Sequence, residues 1–200
     1  MVRPRRFTDD MLLEAARSCF LEHGPSVSTS HIADAAGVSQ ATLFKRFGTK
    51  DQLMLRALMP RPEDAPWEAL HAPLDERPIA DQLTEKGELM MAFFNHMQPC
   101  IAMLRAHSAV VIDDMAKSGK APPIRALRAM QAFFDAAVTA GRMRPCHTES
   151  LALTWLGALR NRAFWTHTMP SHEMARTDLE YVQDFTETLW RGIAPDEVAG

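Results

Sequence analysis

Ile32-Ala33-Asp34-Ala35-Ala36-Gly37-Val38-Ser39-Gln40-Ala41-Thr42-Leu43-Phe44 holds the material for a helix, a sharp turn and a second helix in thirteen residues. Ala33, Ala35 and Ala36 are small enough for two helices to approach closely. Gly37 can take the left-handed conformation that ends the first helix, and Ser39 can cap the second. Ile32, Val38, Leu43 and Phe47 supply an apolar wedge that fixes the crossing of the pair. The second helix keeps an outward face of Gln40, Ala41, Thr42, Phe44, Lys45 and Arg46. Its first residues are slim enough to enter a major groove, where polar and methyl groups read base edges.

Similar signals recur on both sides. Each of four short helices opens on a hydroxyl side chain able to cap it. An apolar pair brackets three of these caps: Phe7 with Leu12 about Thr8, Val27 with Ile32 about Ser28, and Val38 with Leu43 about Ser39. At the fourth, Thr49 and Gln52 form a capping-box pattern with Leu53 following. Cations flank the outward face on several sides: Arg3, Arg5 and Arg6 before the first helix, Lys45 and Arg46 ending the third, and Lys50 opening the fourth. That distribution suits contacts to DNA phosphates. Ser28 and Thr29, which open the helix before the turn, complete the candidate DNA-facing set. A packed helix pair that binds nothing would need neither the basic arm nor Lys50.

The 200 residues carry a formal charge of -3, unevenly spread: residues 1–56 hold eight Lys and Arg against six Asp and Glu, and the remainder fourteen against nineteen. The basic excess is local to the region of the motif. The length suits one small head, 1–55, and one larger body, 56–200. A hydrophobic share of 46%, with no apolar run near the roughly 20 residues of a bilayer span, excludes a membrane protein. The basic start is followed by Thr8, Asp9 and Asp10 where a signal peptide would be apolar, so a cytoplasmic location is expected. Cys19, Cys100 and Cys146, odd in number and far apart, suit reduced thiols.

Strand signals are nearly absent, and apolar residues recur at three and four, which predicts an all-helical protein. Past Leu58, the prolines at 60, 62, 66, 73 and 78 forbid a long helix and mark the connection between head and body. From Ile79 the set Leu83, Met90, Phe94, Met97, Ile101 and Leu104 keeps a helical period, which Pro99 should kink or split. Three further helices are predicted: Pro122 to about Ala140, about Glu149 to Thr168, and about Glu173 to Gly192.

The head resembles the tetracycline-repressor (TetR) family. The resemblance rests on Leu13-Glu14-Ala15-Ala16, Phe20-Leu21-Glu22-His23-Gly24, the Ile32 to Phe44 stretch, and Phe47-Gly48-Thr49-Lys50-Asp51-Gln52-Leu53, about forty-five residues in the family's order and spacing. It implies an all-α homodimer with the third helix as recognition helix, an N-terminal helix-turn-helix DNA-binding head, and a ligand-binding and dimerising body. Family members usually carry Tyr where Phe44 stands, so the resemblance leaves phosphate grip to Thr42, Lys45 and Lys50. The proline-rich link also departs from the family's long fourth helix.

In the body, Leu179, Val182, Thr186, Leu189 and Ile193 form a stripe on the last helix, and a partner helix carries Leu153, Leu156, Gly157, Arg160 and Phe164. In the family such a pair builds the dimer seam, which lets two heads span a palindromic operator; the alternative is that the stripe is core of one chain. The middle helices are rich in thioether and aromatic residues, and Phe93, Phe94, Met97, Met103, Met130, Phe134 and Trp155 are candidate walls for an apolar or aromatic effector. His107 and Asn161 are the candidate polar contacts, with Asn95, His96 and Gln131 as others. Each wall residue could equally be ordinary core.

His96, Cys100 and His107 lie near one helix face at spacings of four and seven, a possible soft-metal set that Pro99 should spoil. The expected state carries no cofactor and no metal. A metal- or redox-responsive regulator of the same fold, and a helical protein-interaction module, are the competing readings. An enzyme finds little support: there is no Gly-rich phosphate loop, zinc-protease motif or nucleophile elbow, and Ser171-His172-Glu173 has capping reasons to stand at a helix start.

Overall fold

The computed structural model describes residues 7–60, 65–107 and 121–193, with the side chains of 105–107 left out. Among the described residues there are nine helices and no strand. Two compact units result: Met1–Arg61 with Pro99–Ile112, the head, and Pro62–Gln98 with Asp113–Gly200, the body.

The head is built on α1 (Asp9–His23), α2 (Thr29–Ala36), α3 (Gln40–Phe47) and α4 (Lys50–Leu58). All four expected caps form. Thr8 accepts from the Met11 N–H at 3.3 Å, Ser28 from His31 at 3.1 Å and Ser39 from Thr42 at 3.2 Å. Thr49 and Gln52 close a reciprocal box at 3.2 and 3.0 Å. Each cap is worth about 1 kcal/mol, and they define four starts in a region too short for any helix to persist alone. Gly37 sits in the left-handed region at φ 68°, its N–H turned back to Ala33 and Asp34. Leu12, Phe20, Ile32, Leu43, Phe47, Leu53, Met54 and Leu58 are buried, each contributing roughly 1.5–3 kcal/mol.

The body opens on α5 (Trp67–Leu70), a single turn within the proline-rich link. Its last carbonyls and those beyond it are held by side chains. The Lys86 ammonium donates to the carbonyls of Ala69 at 2.9 Å, Leu70 at 3.1 Å and Ala72 at 3.5 Å, and lies 5.1 Å from the centre of the Phe133 ring. Burial pushes the Lys86 pKa down, partly offset by Glu85 and Asp75. Gln82 exchanges bonds with the Asp75 backbone in both directions and donates to the Arg77 carbonyl at 2.7 Å, while Arg142 donates to the Asp75 and Arg77 carbonyls. A segment without secondary structure thus finds its backbone partners on neighbouring side chains.

Helix α6 (Ile79–His107) passes through Pro99 as one helix, so of the expected kink or split the split does not occur, although Pro99 offers no N–H to the carbonyl of Asn95. Helix α7 (Pro122–Thr139) ends before Gly141, at φ 67°, and α8 spans Thr148–Thr168. Helix α9 runs Asp178–Ile193 and begins five residues later than the sequence predicts. Ser171 and Glu173 stand in the connection before it. A second reciprocal box starts α9: Glu180 N–H donates to Thr177 Oγ1 at 3.2 Å, and the Glu180 carboxylate accepts the Thr177 N–H at 2.8 Å.

One core joins these helices, with Leu70, Leu83, Met90, Met130, Phe134, Ala152, Trp155 and Val182 all inside. Helices α6, α8 and α9 meet in a seam with a readable register. At one end Asp178 accepts from Asn95 Nδ2 at 2.7 Å and from Arg162 Nε at 2.8 Å, and Arg162 also donates to the Arg176 carbonyl. The Tyr181 hydroxyl next donates to the Ala158 carbonyl at 3.2 Å. Further along, Gly87 lets α6 approach: a Cβ there would stand 2.7 Å from Val182 Cγ1 and 3.6 Å from Trp155 Cζ2. Three buried polar atoms of this seam, Asn95 Oδ1, Trp155 Nε1 and Thr186 Oγ1, have no hydrogen-bond partner, each a cost of about 1–3 kcal/mol.

Candidate nucleic-acid interface

Helix α3 turns Leu43 and Phe47 into the head and leaves Gln40, Ala41, Phe44, Lys45 and Arg46 exposed, with Thr42 half-buried. The polar groups at its start are already oriented. The Ser39 and Thr42 hydroxyls are 2.8 Å apart, and the Gln40 amide donates to Thr29 Oγ1 across the turn. Ser28, Thr29, Ser39, Gln40 and Thr42 therefore form one polar edge at the adjoining starts of α2 and α3. Ser28 and Ser39 spend their side-chain oxygens as caps.

Phe44 is 42% exposed, an aromatic ring on the outward face of α3. Lys45 lies in the last turn of that helix, where a cation is favourable to the dipole. Lys50 is the first residue of α4, where the dipole disfavours a cation by up to about 1 kcal/mol.

Arg46 is engaged inside the head. One guanidinium nitrogen donates to the Phe7 carbonyl at 2.8 Å and to Asp9 Oδ1 at 2.9 Å. The Phe7 ring lies 3.6 Å from the point where Gly37 would carry a Cβ. The root of the N-terminal arm is thus joined to the turn through its ring and to α3 through its carbonyl. Spacing alone puts Arg46 among the outward cations and makes Phe7 a staple; nothing local reports a bond between residues 39 apart. Arg3, Arg5 and Arg6 lie outside the described residues.

In the body, Met130, Phe134 and Trp155 fall in one packed core, with Phe93 and Phe94 half-buried against it. Met97 is buried and Met103 half-buried. Asn161 is exposed on α8, so it does not serve the interior as a polar contact. The His107 side chain lies outside the described residues. The dimer stripe divides. Leu153, Arg160, Phe164 and Leu179 are exposed, and Gly157, Leu189 and Ile193 are half-buried. Leu156, Val182 and Thr186 are inside the body, because α9 wraps its apolar stripe around the seam with α6 and α8.

Cys100 is buried, and burial pushes its thiol pKa up against the pull of Arg17, a poor setting for a thiolate ligand or sensor. Among the described residues no group of three His, Cys, Asp or Glu side chains could hold a metal ion, and no helix is long and apolar enough to cross a membrane.

The family model of the bacterial regulatory proteins, tetR family, matches residues 12–57. A Mesorhizobium loti protein described as a TetR-family transcriptional regulator superposes with TM-score 0.70 at 17% identity, covering 93% of this chain and 96% of that one. SmeT, the repressor of a Stenotrophomonas maltophilia multidrug efflux pump, solved with triclosan, gives 0.69 at 18%, covering 96% and 93%. NalD, the secondary repressor of a Pseudomonas aeruginosa efflux pump, gives 0.64 at 18%, covering 94% and 96%. At these identities the likeness is one of fold. Proteins of the matched family are DNA-binding transcription factors rather than enzymes. The segment from Leu12 to Ala57 is thus similar to the head of the tetR family of bacterial regulatory proteins, and the described helices share the fold of solved TetR-family regulators.

Proposed function

We propose that the chain is a repressor that holds a palindromic operator as a homodimer and is released by a small apolar or aromatic effector bound in the body. The oriented polar edge of α2 and α3, with Lys45 and Lys50 beside it, carries this reading. Gln40, Ala41, Thr42 and Phe44 face the bases. Ser28, Thr29, Ser39, Lys45, Lys50 and the arm arginines Arg3, Arg5 and Arg6 face phosphates, and Arg46 positions the arm. SmeT and NalD are efflux-pump repressors, and SmeT takes triclosan, an aromatic ligand. The dimer forms over the exposed Leu153, Phe164 and Leu179. Effector and operator oppose each other reciprocally, each weakening the other by the same factor.

The test is salt-dependent binding of the protein to the DNA flanking its own gene, beside a Thr42→Ala, Lys45→Ala double variant. Tight binding that weakens steeply with salt and is largely lost in the variant is expected. Equal, weak binding of both proteins to any duplex would overturn the reading.

A further inference from the structure

The head orients the Gln40 side chain before any DNA arrives. Gln40 is exposed at the start of α3, and its amide nitrogen donates to Oγ1 of the half-buried Thr29, the first residue of α2. The neighbouring base-facing positions offer less. Ala41 and Phe44 are apolar, and the Thr42 hydroxyl lies 2.8 Å from that of Ser39, inside the cap of α3. Gln40 keeps an acceptor, Oε1, and a second amide hydrogen for a partner outside the protein.

We infer that Gln40 reads an adenine in the major groove and that Thr29 is the positioning residue that sets it to do so. On the operator reading above, on which this rests, Thr29 faces a phosphate. A phosphate oxygen has no proton to give, so the single hydroxyl proton of Thr29 goes to it, and toward Gln40 the same oxygen can only accept. The amide nitrogen is thereby held on Thr29 by the hydrogen away from Oε1. Oε1 and the remaining N–H form the outward edge, an acceptor beside a donor. Adenine presents the complement, its N6 amino group beside the N7 acceptor. Guanine places O6 where adenine has the amino group, which sets O6 against Oε1. An amide free to turn over would offer its nitrogen to guanine instead, so the choice of base lies in the bond to Thr29.

The test is selection by the full chain from a pool of duplexes with a randomised central stretch, followed by titration of the enriched duplex and its single-base variants. At one position of each half-site adenine should be preferred over guanine about tenfold, and Gln40→Ala should erase that preference there and at no other position. Thr29→Val, which keeps the shape and loses the hydroxyl, should lower the preference about fivefold at an unchanged salt slope, and Thr29→Ser should restore it. A merely structural Thr29 would weaken adenine and guanine sites alike. Placing 7-deazaadenine, which lacks the N7 acceptor, at that position should weaken the parent severalfold and leave Gln40→Ala unaffected. A guanine, or no base, tied to Gln40 would overturn the proposal, as would a Thr29→Val chain that keeps the full preference for adenine. A pool from which the parent enriches no sequence would refute the operator reading, and the choice of adenine with it.

Discussion

Arg46→Met removes a guanidinium and keeps most of its stem, so it separates anchoring from phosphate contact. The bonds it deletes are the 2.9 Å pair with Asp9 and the 2.8 Å bond to the Phe7 carbonyl. The pair is well exposed, at 37% for Arg46 and 60% for Asp9, so solvent screening limits it to about 0.2–1 kcal/mol. The carbonyl bond adds about 0.5–1.5 kcal/mol. Together the variant should lose about 1–2 kcal/mol in the free protein, a fall in Tm of a few degrees for a chain of this size. Lys45→Met is the reference: an exposed cation whose loss removes only its interaction with the helix dipole, about 0.3–1 kcal/mol, and so should lower Tm less than Arg46→Met while reducing the slope of log K against log salt by about 0.9. Calorimetric melting of the free proteins and DNA titrations from roughly 50 to 200 mM salt measure both quantities. If Arg46→Met lowers Tm no more than Lys45→Met and lowers the slope by the same amount, Arg46 is a phosphate contact and the anchoring argument is wrong.

Thr177→Ala should destabilise the protein by about 0.5–2 kcal/mol and Ser171→Ala by almost nothing, measured by denaturation, because only Thr177 caps α9. Its bonds from Thr177 hold the Glu180 carboxyl below its ordinary 4.5. The stability it contributes is therefore fully present above 4.5 and lost as pH falls through the lowered value; Glu180→Gln should flatten that part of the acid limb of a Tm–pH curve. Lys86→Met should lose about 1–3 kcal/mol, since the carbonyls of Ala69, Leu70 and Ala72 lose a buried donor while the relief of a desolvated ammonium offsets part of it. The proposed dimer over Phe164 and Leu179 predicts that the parent chain sediments as a dimer and that Phe164→Arg with Leu179→Arg sediments as a monomer at unchanged helicity; a dimer in both would refute this seam, and a monomeric parent would refute the dimer itself.

The head was legible because its signals are local. Thr8, Ser28, Ser39 and Thr49 each cap within three residues, and Gly37 does its work in its own φ and ψ. The start of α9 was not, because Ser171 and Thr177 offer similar local chemistry. Arg162 decides between them from another helix, binding Asp178 and the Arg176 carbonyl. Periodicity also reports that a residue is covered, not what covers it. Val182 and Leu179 belong to one stripe, yet the first lies against Gly87 and the second is exposed. The same holds for Met130, Phe134 and Trp155, whose spacing marks them as covered and which lie together in one buried core. Pro99 breaks one helical bond, and the rest of α6 is sufficient to carry the helix across it.

Lys86, Gln82 and Arg142 grip carbonyl oxygens of the link, groups that every amino acid possesses. Apart from Leu74, packed against the core, and the Asp75–Arg77 pair, the identities of residues 71–77 do not enter these bonds. The other positions of this stretch should therefore drift in sequence while its length stays fixed: substitutions there pass unnoticed by the three donors, whereas one residue added or removed shifts the carbonyls out of their reach.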